Sequence, residues 1–422
     1  MQRAVLIRLR ARGPWRYGPG DGGQNQNDTL FRSDRLFSAI TLAMRQMGWL
    51  EEWLDGTARA PKPAVVFTSL FPYQKETLFA PPPATAWPPP PSLVSTSSPV
   101  FVSKIRWSAA RFVPLTLLES ILSGQPILGD QWTLDADSAC LLRRDRPSVS
   151  PFRVVLRGGA AVDRLTHSAV RVHSAACIEF EPDSGVWCAV RYSDSAAEAS
   201  WADRVKACFR LLADSGFGAR RTSGWGQAEA PAFQEGTWPN LLLPKLARIL
   251  GNGNQNGSSD DSQLYWLLSL FSPSSKDAID WRRGDYRLIR RGGRVESPAE
   301  WGTRKKTVQM IVEGSVLATS DEPVGAAVDV SPDGFAHPIY RSGFAIALPL
   351  PLPGAPDLGA VETPSDKEAP EPRPCDGPPM AMPTEEPGGA EEASLASPES
   401  SSAGSAEPAD MPAEATDSSD EL

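Results

Sequence analysis

The run from Ala175 to Phe233 constrains the fold more than any other part of the chain. Its centre, "SAAEASWADRVKACFRLLADSG" (Ser195–Gly216), places Trp201, Val205, Cys208, Phe209 and Leu212 on one face of a helix, with Ser195 and Gly216 at its cap positions. A helix with one apolar face needs a sheet or another helix to cover it. Just before it, "AACIEFEPDSGVWCAVRY" alternates Ile178 and Phe180 with Cys177 and Glu179, turns at "PDSG", and alternates Trp187, Ala189 and Arg191 on return. That pattern predicts a β-hairpin. Just after it come a glycine-arginine loop, "GFGARRTSGWGQ" (216–227), and a further strand in "QAEAPAF".

The start of the chain supplies the other half of such a unit. "RAVLIRLR" (Arg3–Arg10) alternates Val5, Ile7 and Leu9 and predicts a half-buried strand. "SDRLFSAITLAMRQMG" keeps Leu36, Phe37, Ile40, Met44 and Met47 at helical spacing, with Ser33 as N-cap and Gly48 as the stop. The proline-dense region of about 61–99, notably "APPPATAWPPPP", lacks amide donors and predicts an extended surface excursion. "KIRWSAARFVPLTLLESILSG" predicts a short strand and a helix from about Leu115. Beyond the polar break "GNGNQNGSSDDS" lie short strands with glycine turns, "RRGGR" among them as a hairpin tip, and the last ordered run is "YRSGFAIALPLPLP". The order βα…ββα–β followed by strands predicts an α+β architecture of antiparallel sheets with helices on one face, in the manner of split βαβ, RRM-like domains. The expected divisions are 1–240, 241–353, and a Pro/Glu/Ser-rich tail over 354–422 whose composition predicts disorder.

The formal charge of −9 over 422 residues misleads about partners. Residues 354–422 carry 17 acidic side chains against Lys367 and Arg373, a balance of −15, which leaves +6 for residues 1–353. Five cysteines, Cys140, Cys177, Cys188, Cys208 and Cys375, form no C-x-x-C pair, and with only His167, His173 and His337 no zinc site is expected. The N-terminus lacks the apolar core of a signal peptide, and "LYWLLSLF" is too short to span a membrane. These features predict a cytoplasmic protein with reduced thiols, no cofactor and no membrane partner.

Gly216, Gly218, Gly224 and Gly226 surround Arg220, Arg221, Thr222 and Ser223. Glycines at this density imply unusual dihedrals or the close approach of another molecule, and paired guanidinium groups imply an anionic one. The stretch has no lysine for a Walker loop, and it follows a helix instead of opening one, so it does not fit a dinucleotide fingerprint. Two readings remain, a purely structural tight loop and a loop lining a polynucleotide backbone. Trp225 offers either a face for a stacked base or an anchor buried beneath the loop.

The stretch "GFGARRTSGWG" resembles the glycine-rich loop of the RAMP superfamily of CRISPR proteins. "SDRLFSAI" resembles an "SD-x-LFSA" helix start, "DRLTHSAV" an "R-x-T" segment, and "KKTVQMIVEGSVL" with "HPIYRSGFAIALPL" an "EGS" strand and an "H-P-[VI]-Y-x-x-G" ending. Four motifs in this order over residues 1–353 resemble the family of fourth subunits of the Csm complex, the type III-A CRISPR effector. The resemblance implies two ferredoxin-like RAMP domains and a subunit without nuclease activity. It implies that such a subunit holds the 5′ handle of the guide RNA (crRNA) and bridges a large polymerase-like subunit to a RAMP backbone subunit in antiviral defence. It further implies that Gly216, Gly218, Gly224 and Gly226 face RNA, with Arg220 and Arg221 on phosphates. Arg32, Ser33 and Arg35 open the "SD-x-LFSA" helix, whose N-terminal end is a second place for phosphate. Arg304, Lys305 and Lys306 add either a phosphate contact or a solvated face. The proline-rich excursion and the acidic tail depart from the family pattern.

Some RAMP proteins are metal-independent ribonucleases that cut repeat RNA with a histidine, so the alternative to a pure binder is an endoribonuclease with His167 as acid or base. His173 reads as a sheet position and His337 as structural.

Overall fold

A computed structural model describes residues 2–18, 27–95, 107–145, 149–166, 168–253, 262–297 and 300–351. The opening strand, Arg3–Arg10, lies between Ser184–Tyr192 and Ala232–Thr237 and is antiparallel to both. Ala4 through Ile7 are all buried. The strand is therefore interior, not half-buried as the alternation predicted, because both of its faces are covered there. Val65–Phe67 and Phe71–Gln74 pair with the far side of Ser184–Tyr192, and Thr77–Ala80 and Val113–Pro114 extend the sheet further. Counting Val65–Gln74 as the second strand, the order is fourth, first, third, second.

Two long helices serve this sheet. Helix α1 (Ser33–Gln46) buries Leu36, Phe37, Ile40 and Met44, as predicted. Its cap differs: Arg32 occupies the N-cap position, and no side chain caps the helix. A short helix α2 (Leu50–Gly56) follows, then α3 (Leu115–Leu122). Helix α4 (Ser195–Ser215) buries the five predicted face residues, but Asp194, not Ser195, caps it, accepting the Ala197 amide at 2.8 Å. Helix α5 (Pro244–Gly253) leads toward the second sheet.

Three expectations fail. The proline-dense region is not simply a surface excursion, since residues 65–80 supply three strands of the main sheet and bury Val65, Phe67, Phe71 and Phe79. The "PDSG" segment does not close a hairpin: Ala169–Phe180 pairs with Phe152–Val162, whereas Ser184–Tyr192 joins the main sheet. The turn is a corner between two sheets, and local turn chemistry cannot distinguish a corner from a hairpin. Likewise "RRGGR" joins two strands that pair elsewhere, Leu288–Arg291 with Val308–Ile311 and Arg294–Ser297 with Glu300–Arg304.

Residues 263–350 build a four-stranded antiparallel sheet ordered Ile279–Asp285, Val316–Thr319, Gln263–Leu267, Ala347–Leu350. In chain order this is again second, third, first, fourth, the same arrangement as the first sheet. Strand pairs take the place of connecting helices here, among them Gly325–Asp329 with Tyr340–Phe344, so helices on one face describe only the first half. Met1–Asp357 is one compact unit, and its main apolar cluster runs from Ala4 to Leu350. The chain is thus a mixed α/β protein of antiparallel sheets with few helices. No helix among the described residues is long and apolar enough to cross a membrane. Cys140, Cys177, Cys188 and Cys208 are free and buried, and burial raises the Cys208 thiol to about 12. The expected tail, residues 254–261 of the polar break and Cys375 lie outside the described residues, whereas the break's first residues, 251–253, belong to α5.

Candidate nucleic-acid interface

The glycine loop is pinned at both ends and open at its tip. Gly216 (φ +93°) ends α4, and Gly218 (+80°), Gly224 (+76°) and Gly226 (+83°) also take left-handed dihedrals. A Cβ on Gly218 would meet the Arg16 carbonyl oxygen at 2.3 Å, and one on Gly226 the Phe217 carbonyl oxygen at 2.0 Å. The Ala219 amide donates to the Arg16 carbonyl (3.0 Å) and the Gly226 amide to the Pro14 carbonyl (2.9 Å). Phe217 is buried and stacks on Trp15 with ring centroids 5.3 Å apart. Gly216 and Gly226 are buried, so the expected RNA-facing role does not fit the surface for those two. Their glycine identity serves the closing of the loop on itself, Gly216 against the Trp225 carbonyl oxygen (2.6 Å) and Gly226 against the Phe217 backbone. Gly224, by contrast, has open space where a side chain would stand.

Between these anchors Arg221–Ser223 forms one 3-10 turn, and Arg221, Thr222, Ser223 and Gly224 are exposed. Arg220 is half-buried, with φ +60°. Its guanidinium lies 3.3 Å from His173 Nε2 and 5.3 Å from the centre of the Trp225 ring. Trp225 is half-buried, so one face carries Arg220 and the ring is not sealed beneath the loop.

Sequence reasoning missed the neighbours of this tip. Arg16 is buried beside it, and burial followed by the charge of Arg220 lowers its pKa. His173 comes from the two-stranded ribbon Phe152–Val162/Ala169–Phe180, where Arg153 and Arg157 both reach Glu179. The Arg157 hydrogen bond is the main reason that the Glu179 carboxyl titrates low. Only the aromatic flanks of Arg16 in "PWRY" hinted at a special position. The "R-x-T" segment forms the ribbon tip, where the Asp163 carboxylate accepts the Leu165 amide at 2.7 Å. His167 lies outside the described residues.

The start of α1 has a different role. Arg32 and Ser33 are buried, with the Arg32 guanidinium on Glu313 and, at 3.3 Å, on Asp28. Ser33 Oγ accepts the Leu270 amide at 2.9 Å. Asp34 is buried between Arg291, bound at 2.9 and 3.0 Å, and Arg341. Burial alone would raise the Asp34 carboxyl, but the two arginines hold it below the usual range. Arg35 donates to the Gly18 carbonyl, and burial together with Arg291 pulls it down to about 10. The expected phosphate site at this helix end is therefore corrected: the second half of the chain covers it. Arg32 just before "SD-x-LFSA", Asp34 within it, Arg291, Glu313 of "EGS" and Arg341 of "YRSG" form one clamp between the halves.

Arg304, Lys305 and Lys306 do not join the glycine loop. Lys306 pairs with Asp333 at 2.7 Å, and Lys305 lines a separate cleft against α1 and α2. His337 bonds Ser297 Oγ at 2.8 Å. Among the described residues no group of three or more His, Cys, Asp or Glu side chains is placed to hold a metal ion.

Residues 260–350 match the family model of the CRISPR Csm4 C-terminal domain, a span that contains both the "EGS" and the "HPIYRSG" motifs. Over that span the chain is similar to the Csm4 proteins. Among solved structures, the crystal structure of a Csm3–Csm4 subcomplex from the type III-A CRISPR-Cas interference complex contains a chain 16% identical to this one. That likeness covers 83% of this chain and 100% of the other at a TM-score of 0.52, and it is a likeness of fold. A Csm1–Csm4 cassette in complex with cA4 gives 17% identity over 84% of this chain and 100% of the other, with a TM-score of 0.46. No curated protein matches the sequence. The Csm4 resemblance carried by four short motifs is thus borne out.

Proposed function

We propose that this Csm4-like chain is a non-catalytic, RNA-binding subunit of a type III-A CRISPR effector, that it holds the 5′ handle of the guide RNA, and that it bridges the polymerase-like subunit to the RAMP backbone. The observation that carries the RNA contact is the Arg220–Gly224 tip, exposed from Arg221 to Gly224, with half-buried Arg220 presented on Trp225 and His173 and backed by the buried charge of Arg16. Such a tip offers guanidinium and hydroxyl donors to phosphate oxygens. The fourth-first-third-second strand order in both sheets supports reading the halves, 1–240 and 241–353, as two ferredoxin-like domains. The partnership with a backbone subunit is supported by the fold likeness to the chain solved within a Csm3–Csm4 subcomplex. The polymerase-like partner is proposed from the Csm4 resemblance alone.

The test is a titration of handle-containing RNA against the purified chain, in EDTA, over a range of salt. Replacing both Arg220 and Arg221 by alanine is expected to weaken binding and to reduce the slope of log K against log salt by one or two phosphate contacts' worth. The RNA is expected to be recovered intact. An unchanged slope removes these arginines from the interface, and specific cleavage lost in His167→Ala replaces the binder with a ribonuclease.

A further inference from the structure

Arg220 is oriented by groups that carry no negative charge. Its guanidinium lies 3.3 Å from His173 Nε2 and 5.3 Å from the centre of the Trp225 ring. Among the described residues no carboxylate forms an ion pair with it. The acid on the same face of the ribbon as His173 is Glu179, and Arg153 and Arg157 hold it at 3.3 and 2.6 Å.

The chemistry of the contact fixes its direction. A guanidinium has only donors, so Nε2 accepts and the ring proton stands on Nδ1. A carboxylate in this place would neutralise the guanidinium that it oriented. An imidazole acceptor orients the group and leaves its charge for a phosphate. The Trp225 ring attracts the same cation through its π-face, again without an anion.

Gly159 gives the imidazole its seat. It stands directly opposite His173 in the ribbon. A Cβ on Gly159 would lie 2.9 Å from His173 Nε2 and 3.2 Å from Cε1. The ring therefore lies against the facing backbone, and the atom that a methyl group would strike first is the one that accepts from Arg220. Gly159 is not among the glycines with a left-handed φ, so the ring, and not the backbone, calls for glycine here.

We propose that His173, seated on Gly159, is a positioning residue for the RNA contact, its Nε2 holding the Arg220 guanidinium ready for a phosphate oxygen. Such a hold removes part of the ordering cost that a free arginine side chain meets on binding. This role rests on the Arg220–Gly224 tip being an RNA-binding surface, and it adds to that surface a residue 47 positions away on another element.

The test titrates handle-containing RNA against the full chain and its variants, with thermal melting of each; Arg220→Ala sets the scale. His173→Leu keeps an apolar filler beside Gly159 but accepts no hydrogen bond. It is expected to weaken binding about three- to tenfold, one hydrogen bond's worth, with melting unchanged. Gly159→Ala keeps the imidazole and displaces it from Arg220, so the same loss is expected. His173→Gln carries an amide oxygen that can accept from Arg220, and it is expected to bind within about twofold of the parent. In the Arg220→Ala background, His173→Leu is expected to cost nothing further. If Arg220→Ala weakens binding while His173→Leu and Gly159→Ala do not, the positioning role is overturned and the RNA-binding tip stands. If His173→Gln loses as much as His173→Leu, the accepted hydrogen bond is not what matters, and the role is overturned as well. If Arg220→Ala itself changes nothing, the RNA-binding tip fails and the role of His173 fails with it.

Discussion

Asp34 is the residue on which the junction of the two halves depends. Its carboxylate is buried and holds Arg291 and Arg341 together, so removing it leaves two buried guanidinium groups without their acid. Breaking a buried pair in this way costs about 3–5 kcal/mol. Asp34→Ala is therefore expected to lower unfolding stability by that order in urea denaturation, and a loss under about 1 kcal/mol would show that the clamp is dispensable. The pH dependence has a definite sign. Because the folded carboxyl titrates below its unfolded value, the contribution is fully present above the ordinary Asp pKa of about 4 and is lost as pH falls through the lower folded value. In Asp34→Asn this portion of the acid limb should be missing, so stability measured from pH 7 down to pH 3 should fall less steeply than in the parent. The motif around Asp34 was legible as a helix start, and as a family mark, but not as a clamp. Its partners stand 257 and 307 residues away, and no local pattern reports such a distance.

At the scale of elements, the glycine loop separates conformational need from ligand approach. Gly226 has both a left-handed φ and a carbonyl oxygen 2.0 Å from where a Cβ would stand, whereas Gly224 has the φ and open space. Gly224→Ala is expected to cost about 1–2 kcal/mol, the penalty of a left-handed dihedral, and to leave RNA binding measurable. Gly226→Ala is expected to cost more and to displace the arginine tip, so that thermal melting and RNA affinity fall together. Equal effects from the two substitutions would mean that the loop is not anchored where its contacts place it. The sequence made α1 and α4 plain because each buries a stripe at helical spacing. It misled wherever a turn was correctly located but its strands found other partners, at Asp183 and at Gly292–Gly293. It misled again over Val65–Ala80, where the proline-dense surroundings masked short strands whose amides do pair across the sheet. The ribbon that brings His173 to Arg220 followed from none of the local patterns, since it depends on a pairing across the chain.

At the scale of the molecule, two sheets of the same strand order share one apolar cluster, and the charge of the chain is unevenly divided along it. The 17 acidic residues of 354–422 outnumber its two cations, while residues 1–353 carry +6. Binding of RNA without regard to sequence is set by cations near phosphates and by the field that an approaching polyanion meets. A covalently linked segment of charge −15 adds repulsion for every RNA alike, and salt screens it within a Debye length of about 10 Å at 0.1 M. Deleting residues 354–422 is expected to raise affinity for unrelated RNA at low salt, with the gain shrinking as salt increases. Handle-containing RNA should gain by the same factor, because a uniform field does not discriminate between sequences, so the ratio of the two affinities should stay constant. Filter binding of both RNAs to the full and shortened chains, across a salt series, measures these quantities. If neither affinity changes, the acidic segment has no electrostatic influence on the binding surface; if only the handle RNA gains, the segment competes for a specific site instead of acting through its charge.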